Sequence, residues 1–254
     1  MDIISIIGFI VALSAIYFGA PDIRHDLAVY LDSDSFIFVF FGSIGSMIIA
    51  SSKSELKHLG TLLSHTFRRK KTILPKKAVE IMVKLSKDSQ QMSKQDLPNE
   101  SKIYNNPFLN NGIAMIASGL DENFINTTLN NDLQESEKRH DILINKVRSL
   151  GAYATMFGMA GTVIGVIQVL RDVKDINNII SGLSLALLTT LYGLFLSSIF
   201  YLPLSKKLKN NSEKEVLTKL IIKEGILGIA RKEIPVKINF YLKSFLDQHD
   251  KKNA

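Results

Sequence analysis

Four hydroxyls stand in otherwise apolar surroundings: Thr155 and Thr162 in one stretch, and Thr189 and Thr190 within ALLTTLYG (186–193) in another. A threonine hydroxyl can donate to a carbonyl one turn back on its own helix. Its oxygen can also help to hold a hard cation such as Na⁺, although hydroxyls and carbonyls alone bind one weakly. Small residues recur around these hydroxyls at steps of three and four. In the first stretch they are Gly151, Thr155, Gly158, Thr162 and Gly165, with Gly161 beside them. In the second they are Gly182, Ala186, Thr190, Gly193 and Ser197, with Thr189 alongside. Such spacing puts each set on one face of a helix. Small faces let helices approach closely in lipid, so packing alone accounts for either stripe. Two such stripes can also line a narrow, partly hydrated seam. Thr155, Thr162, Thr189 and Thr190 are therefore candidate ion-pathway residues, and Gly158, Gly161, Gly165, Ala186 and Gly193 a candidate packing or pore face.

A missing group narrows the chemistry. Four runs, at 3–20, 36–52, 152–170 and 180–203, contain no Asp, Glu, Lys, Arg or His. Each is about long enough to cross a bilayer, which takes ~20 residues. Ion-coupled transport normally needs an ionisable group inside the membrane. Any carboxylate that binds a transported ion must then come from another chain, which makes a partner obligatory. With no cysteine in the chain, disulfides, thiolate catalysis and Cys-based metal sites are excluded. The five histidines are scattered without ligand spacing, so no metal site is expected, and nothing marks an enzyme. Gly158, Gly161 and Gly165 follow no strand and do not read as a phosphate cradle. A pI near 9.4 and a net charge of +7 suit a nucleic-acid binder, but the apolar runs and a mean hydropathy of +0.14 argue for basic regions flanking membrane spans.

Charge asymmetry orients those spans. From 53 to 77 eight basic residues (Lys53, Lys57, Arg68, Arg69, Lys70, Lys71, Lys76, Lys77) face one acid, Glu55. Lys206, Lys207 and Lys209 follow the fourth run, whereas the loop after the first carries Asp22, Asp26, Asp32 and Asp34 against Arg24. The positive-inside rule then places both termini and the long middle segment in the cytoplasm, with both short loops outside. Asp2 in place of a basic leader, and no small-x-small site before Pro21, argue against a cleavable signal. The expected fold is all-α: a polytopic membrane protein with four transmembrane helices and a helical cytoplasmic domain. Its parts are a first hairpin at 1–52 (spans about 3–20 and 36–52), a cytoplasmic helical domain at 53–150, a second hairpin at 151–204 (spans about 152–170 and 180–203), and cytoplasmic C-terminal helices at 205–254. Within the middle domain AVEIMVKL (78–85), GIAMIASGL (112–120) and 122–150 carry helix-spaced apolar positions, while 86–107, holding Pro98 and Pro107, reads as a loop or broken helix.

GMAGTVIG (158–165), ALLTTLYG (186–193) and FYLPLSKKL (200–208), in that order, resemble the A subunit of the bacterial flagellar stator, the MotA/PomA family within the wider MotA/TolQ/ExbB group. DSDSFIFVFFGS (32–43), SEKRH (136–140) and the stretch 222–246 extend the likeness over nearly the whole chain. The resemblance implies an ion-driven rotary unit of the inner membrane and no cofactor. Five A subunits would surround two copies of a single-span B subunit (MotB/PomB-like), whose helix supplies the ion-binding aspartate. Inward flow of Na⁺ or H⁺, with Na⁺ slightly favoured by the threonines, would turn the ring against the flagellar rotor protein FliG. On that pattern Thr162, Thr189 and Thr190 match pore-lining threonines, Asp32 a periplasmic-side acid, and Pro203 the torque-related proline ending the fourth helix.

Departures from the pattern sit at defined places. Thr155 stands where the family usually has a proline, and Ile180-Ser181 where it has Gly-Pro. The rotor-contacting Arg and Glu align loosely with Gln90 and with Pro98 or Asn99; Lys84, Lys87, Asp88, Lys94 and Glu100 are the nearby charges available to take over. That change motivates an alternative, a stator-like motor of the ExbB/TolQ type energising a non-flagellar envelope process.

Overall fold

The computed structural model describes residues 3–19, 26–53, 55–56, 73–91 and 96–246. The turn at Pro21, Lys94 and most of the basic run, including Lys57, Arg68, Arg69, Lys70 and Lys71, lie outside the described residues. Among those described the chain is helical throughout, without a strand. The helices are α1 (Ile3–Gly19), α2 (Ser33–Ile49), α3 (Pro75–Gln91), α4 (Leu97–Lys102), α5 (Pro107–Ala117), α6 (Glu122–Arg171), α7 (Ile176–Phe195), α8 (Leu202–Ala230) and α9 (Pro235–Lys243). A 3₁₀ turn (Leu27–Tyr30) precedes α2, and a π-helical segment (Leu196–Tyr201) joins α7 to α8.

Among the described residues three helical stretches are long and apolar enough to cross a membrane: Leu27–Ile49, Glu122–Arg171 and Ile176–Ala230. Helix α1 is apolar and has 17 residues, about 25 Å at 1.5 Å per residue. Its Ile3, Ile7, Ile10 and Phe18 are more than half exposed; in water such a surface would collapse, and in lipid it costs nothing.

The chain divides into two compact units. The first comprises Met1–Arg68 with Ile142–Leu208, the second Arg69–Asp141 with Lys209–Ala254. Helices α6 and α8 each contribute residues to both. The second unit encloses the larger apolar core, where Met82 and Leu85 of α3, Leu109 and Ile113 of α5, Ile125 of α6, Ile221 and Ile226 of α8 and Leu242 of α9 are essentially unexposed. Asn106 caps α5 by accepting the Leu109 N–H at 3.1 Å, and Pro107 starts the helix where no N–H is needed. Gly119, at φ +74°, takes the left-handed conformation that ends it.

The 86–107 stretch, expected as a loop or broken helix, is a series of helical pieces among the described residues. Helix α3 continues to Gln91, and Pro98 opens the short α4 instead of breaking a longer helix. The basic segment after the fourth run is likewise no break, since α8 passes through it from Leu202 to Ala230.

Candidate functional site

In the first unit α6 and α7 pack through the two small-residue stripes. A Cβ placed on Gly158 would meet Thr189 O at 3.0 Å and Gly193 Cα at 3.3 Å; one on Gly193 would meet Ala154 O at 2.6 Å. Gly165 and Gly182 face each other, and a Cβ on Gly182 would lie 2.7 Å from Gly165 O. The helices thus touch backbone to backbone, and Ala154, Ala186 and Thr189 are buried between them. Within one chain this seam is filled, with packing as its first role.

The four hydroxyls separate accordingly. Thr189 is wholly buried over Gly161, and its hydroxyl donates to Leu185 O at 2.7 Å. Thr190 lies at the seam's edge, 3.1 Å from Ala186 O and 3.2 Å from Gly158 O of the facing helix. Its single proton satisfies one of these carbonyls at a time. Thr155 donates to Gly151 O at 3.1 Å. Thr162 donates to Met159 O and turns outward, beside Val163, Val166 and Ile167 in a shallow cleft of about 230 Å³. Every hydroxyl has spent its proton on a carbonyl, so what each can offer a cation is an oxygen lone pair. Burial removes Thr189 from that set and leaves Thr162 and Thr190 as the accessible pair.

Asp32 caps α2, its carboxylate accepting the Ser35 N–H at 2.8 Å. Its own N–H donates to the Tyr192 hydroxyl at 2.9 Å, and that hydroxyl donates to Tyr30 O at 2.6 Å. Because Tyr192 is sixteen residues beyond Ile176, the start of α2 sits against α7 roughly 24 Å from its first residue. Asp32 is therefore level with Thr189 and Thr190, well along α7 from its start. From that anchor α2 runs parallel to α7: Val39 packs with Ala154 and Tyr201, and Phe157 lies over Gly42. Lys146 closes the far end, donating to Ala50 O at 2.7 Å and pairing with Glu55 at 3.2 Å. Hydrogen bonds from Ser52 N–H and from Lys146 hold the Glu55 carboxyl below its ordinary range.

Pro203 has no N–H to donate, and its ring would strike the carbonyl four residues back. The ladder widens into the π segment ahead of it, which relieves that collision. Thr155 produces no such irregularity; α6 passes through it as regular helix.

The other candidates lie in the second unit. Lys87 and Gln90 are exposed near the end of α3. Asp88 is half-buried, and its Oδ2 has no hydrogen-bond partner among the described residues. Glu100 is half-buried in α4. Among the described residues no three His, Asp or Glu gather as a metal site would require.

A polar ladder between α6 and α8 was not anticipated from the sequence. His140 Nδ1 lies 3.0 Å from Ser212 Oγ, and its Nε2 is 4.0 Å from Glu215. Lys219 donates to Ser136 Oγ at 2.8 Å, approaches Asp132 at 3.7 Å and stands over the Phe108 ring. Lys223, only 8% exposed, reaches Asn130 at 3.2 Å and Glu224 at 3.4 Å. Burial lowers the His140 pKa; Glu215 pulls it the other way without prevailing. The signal was present in Ser212, Glu215, Lys219 and Lys223, spaced by three and four on one helix face.

Comparison with known proteins places these features in context. Residues 100–219 match the model of the MotA/TolQ/ExbB proton channel family. The chain is 29% identical over 251 residues to Motility protein A of Borreliella burgdorferi, covering 99% of this chain and 96% of that one. It is 33% identical over 144 residues to the chemotaxis protein PomA of Vibrio alginolyticus, covering 57% of each. Its fold is similar to a chain in the flagellar MotAB stator complex of Bacillus subtilis, with a TM-score of 0.88 at 24% identity, covering 99% of both chains.

Proposed function

We propose that this chain, whose residues 100–219 match the MotA/TolQ/ExbB family model and which resembles Motility protein A along nearly its whole length, is the A subunit of an ion-driven flagellar stator. With a single-span B subunit it couples inward ion flow to rotation of the flagellar motor. The observation that carries this is the combination of four apolar runs without Asp, Glu, Lys, Arg or His and threonine hydroxyls already committed to carbonyls. Such a chain can shape an ion path but cannot bind and release the ion by itself. The likeness in fold to a chain of a MotAB complex fits a partner that brings the carboxylate.

Several further assignments belong to this proposal. The protein resides in the bacterial inner membrane with both termini cytoplasmic, α1 acts as a fourth span, and five copies surround the B pair. Thr162 and Thr190 contribute oxygen ligands along the path while Thr189 packs the seam. Asp32 acts at the level where α2 begins, Pro203 transmits torque, and Lys87, Asp88, Gln90 and Glu100 lie toward the rotor protein. Na⁺ is the favoured coupling ion because a desolvated cation gains from lone pairs that a proton does not need.

The test is ion conduction and swimming in cells that express the chain alone, with a B subunit, and with a B subunit whose membrane aspartate is replaced by asparagine. Conduction and torque should require both chains and that aspartate. Conduction by this chain alone would refute the proposal. Swimming speed measured against external Na⁺ at fixed pH identifies the ion, and insensitivity assigns H⁺.

A further inference from the structure

Three elements meet on one hydroxyl, that of Tyr192. It accepts the Asp32 N–H at 2.9 Å and donates to Tyr30 O at 2.6 Å. The last residue of the 3₁₀ turn and the residue that caps α2 are thus both tied to α7. The Phe36 ring, one turn into α2, stands edge-on to the phenol with ring centroids 5.8 Å apart. Among the described residues no other hydrogen bond joins this stretch to α7. Ser35 does not supply one: it is fully buried, and its hydroxyl has no partner among the described residues. A phenylalanine at 192 would keep the ring contact and lose both bonds.

What the hydroxyl holds in place is a charge. One Asp32 carboxylate oxygen accepts the Ser35 N–H at 2.8 Å, and the other has no hydrogen-bond partner among the described residues. The side chain is half-buried, so less solvent screens its attraction for a cation than would screen a carboxylate in open water. Asp34, two residues on, is exposed and has no such tie to α7. Tyr192 follows Thr189 and Thr190 on the same helix, so the element that carries the seam hydroxyls also fixes the height of the Asp32 charge.

We propose that Tyr192 is a positioning residue for ion entry: its hydroxyl holds the Asp32 carboxylate at the level of Thr190, where that charge draws the cation onto the path. Tyr192 is not itself a ligand, because its proton is committed to Tyr30 O. The inference rests on the stator reading above and adds to it a residue that acts through another.

The test is swimming of cells that carry this chain with a B subunit, read as the half-saturating external concentration of the coupling ion. That ion is Na⁺ at fixed pH or, where Na⁺ has no effect, H⁺. Tyr192→Phe should raise this concentration roughly three- to tenfold at unchanged maximal speed. Asp32→Asn should raise it comparably, and the double variant should go no further, since both changes act through one charge. Added choline chloride should narrow the gap between wild type and Tyr192→Phe by screening that charge. Lys146→Met loosens the other end of α2 and should stay within about twofold of wild type. An unchanged ion dependence in Tyr192→Phe would overturn the proposal. So would an effect that adds in full to that of Asp32→Asn, or an equal shift in Lys146→Met, either of which reduces Tyr192 to packing. If Tyr192→Phe fails to accumulate in the membrane, Asp32→Glu carries the test. It keeps the backbone N–H on Tyr192 and displaces the carboxylate by one methylene, and a wild-type ion dependence there would equally overturn the proposal. Failure of the wild-type pair to drive swimming at any ion concentration would instead refute the stator reading, and this inference with it.

Discussion

Replacing Gly193 by alanine tests the α6–α7 seam where it is tightest. The added Cβ would lie 2.6 Å from Ala154 O and 3.1 Å from Gly158 Cα. Both are backbone atoms, so no side chain can swing away, and the helices must part by roughly 1 Å to restore ordinary contact near 3.5 Å. Separation loosens the approaches at Gly158 and Gly161 together, at an overpacking cost of about 1–3 kcal/mol. It also stretches the Thr190–Gly158 contact of 3.2 Å beyond hydrogen-bond length. The chain has no tryptophan, so helical circular dichroism on the detergent-solubilised protein is a better readout than intrinsic fluorescence. Gly193→Ala should melt several degrees below wild type. Gly45→Ala, with nothing within 4 Å of its added Cβ, should match wild type or exceed it. If Gly193→Ala melts with wild type, α6 and α7 do not meet backbone to backbone and the seam described above is wrong.

Three further outcomes are expected. Tyr192→Phe removes the hydroxyl that bridges the Asp32 N–H and Tyr30 O and should cost about 1–3 kcal/mol in a thermal or denaturant melt; an unchanged melt would deny the anchor. Lys146→Met deprives Ala50 O and Glu55 of their shared cation and should lower the melting temperature only modestly, because solvent screens the exposed Glu55 carboxylate; added salt should narrow the difference. His140 is held below its ordinary pKa of 6.5 by burial, against Glu215 and Asp141 and with help from Lys219 and Arg139. The unfolded chain then takes up the proton more readily, so stability is complete above about pH 6.5 and falls as pH drops below it. Melting temperature measured from pH 7.5 down to 5.5 should fall more steeply for wild type than for His140→Gln, and parallel curves would contradict the burial.

The long apolar helices that contain the runs 36–52, 152–170 and 180–203 were legible because charge-free runs of that length have one cheap environment. Asp32, Asn106 and Asp175 accept backbone N–H groups at the starts of α2, α5 and α7, a capping signal that residue type carries but that apolar periodicity does not use. What the small stripes face was not legible: periodicity gives a shared helix side but not its neighbour. Only the structure shows that Thr189 is walled in by Gly161 and that Thr162 turns outward. Pro98 sits in the first turn of α4; proline both opens and breaks helices, and spacing does not separate the two uses. The ladder around His140 escaped notice because its members lie 72 to 93 positions apart in sequence.

The π segment has a consequence for how the second hairpin keeps its phase. The buried stripe leaves α7 at Gly193 and continues by fours through Ser197, Tyr201 and Ser205. In a helix of 3.6 residues per turn each step of four overshoots by about 40°, so three steps would carry Ser205 about 120° off the stripe. The wider turn absorbs that overshoot and returns Ser205 and Leu208 to the buried side. Leu196–Tyr201 thus works as a vernier between two regular helices, holding one spare residue that sets the azimuth of everything up to Leu208. Deleting Ser198 would leave a helix equally able to form, but with Ser205 and Leu208 turned away from the buried side of the protein.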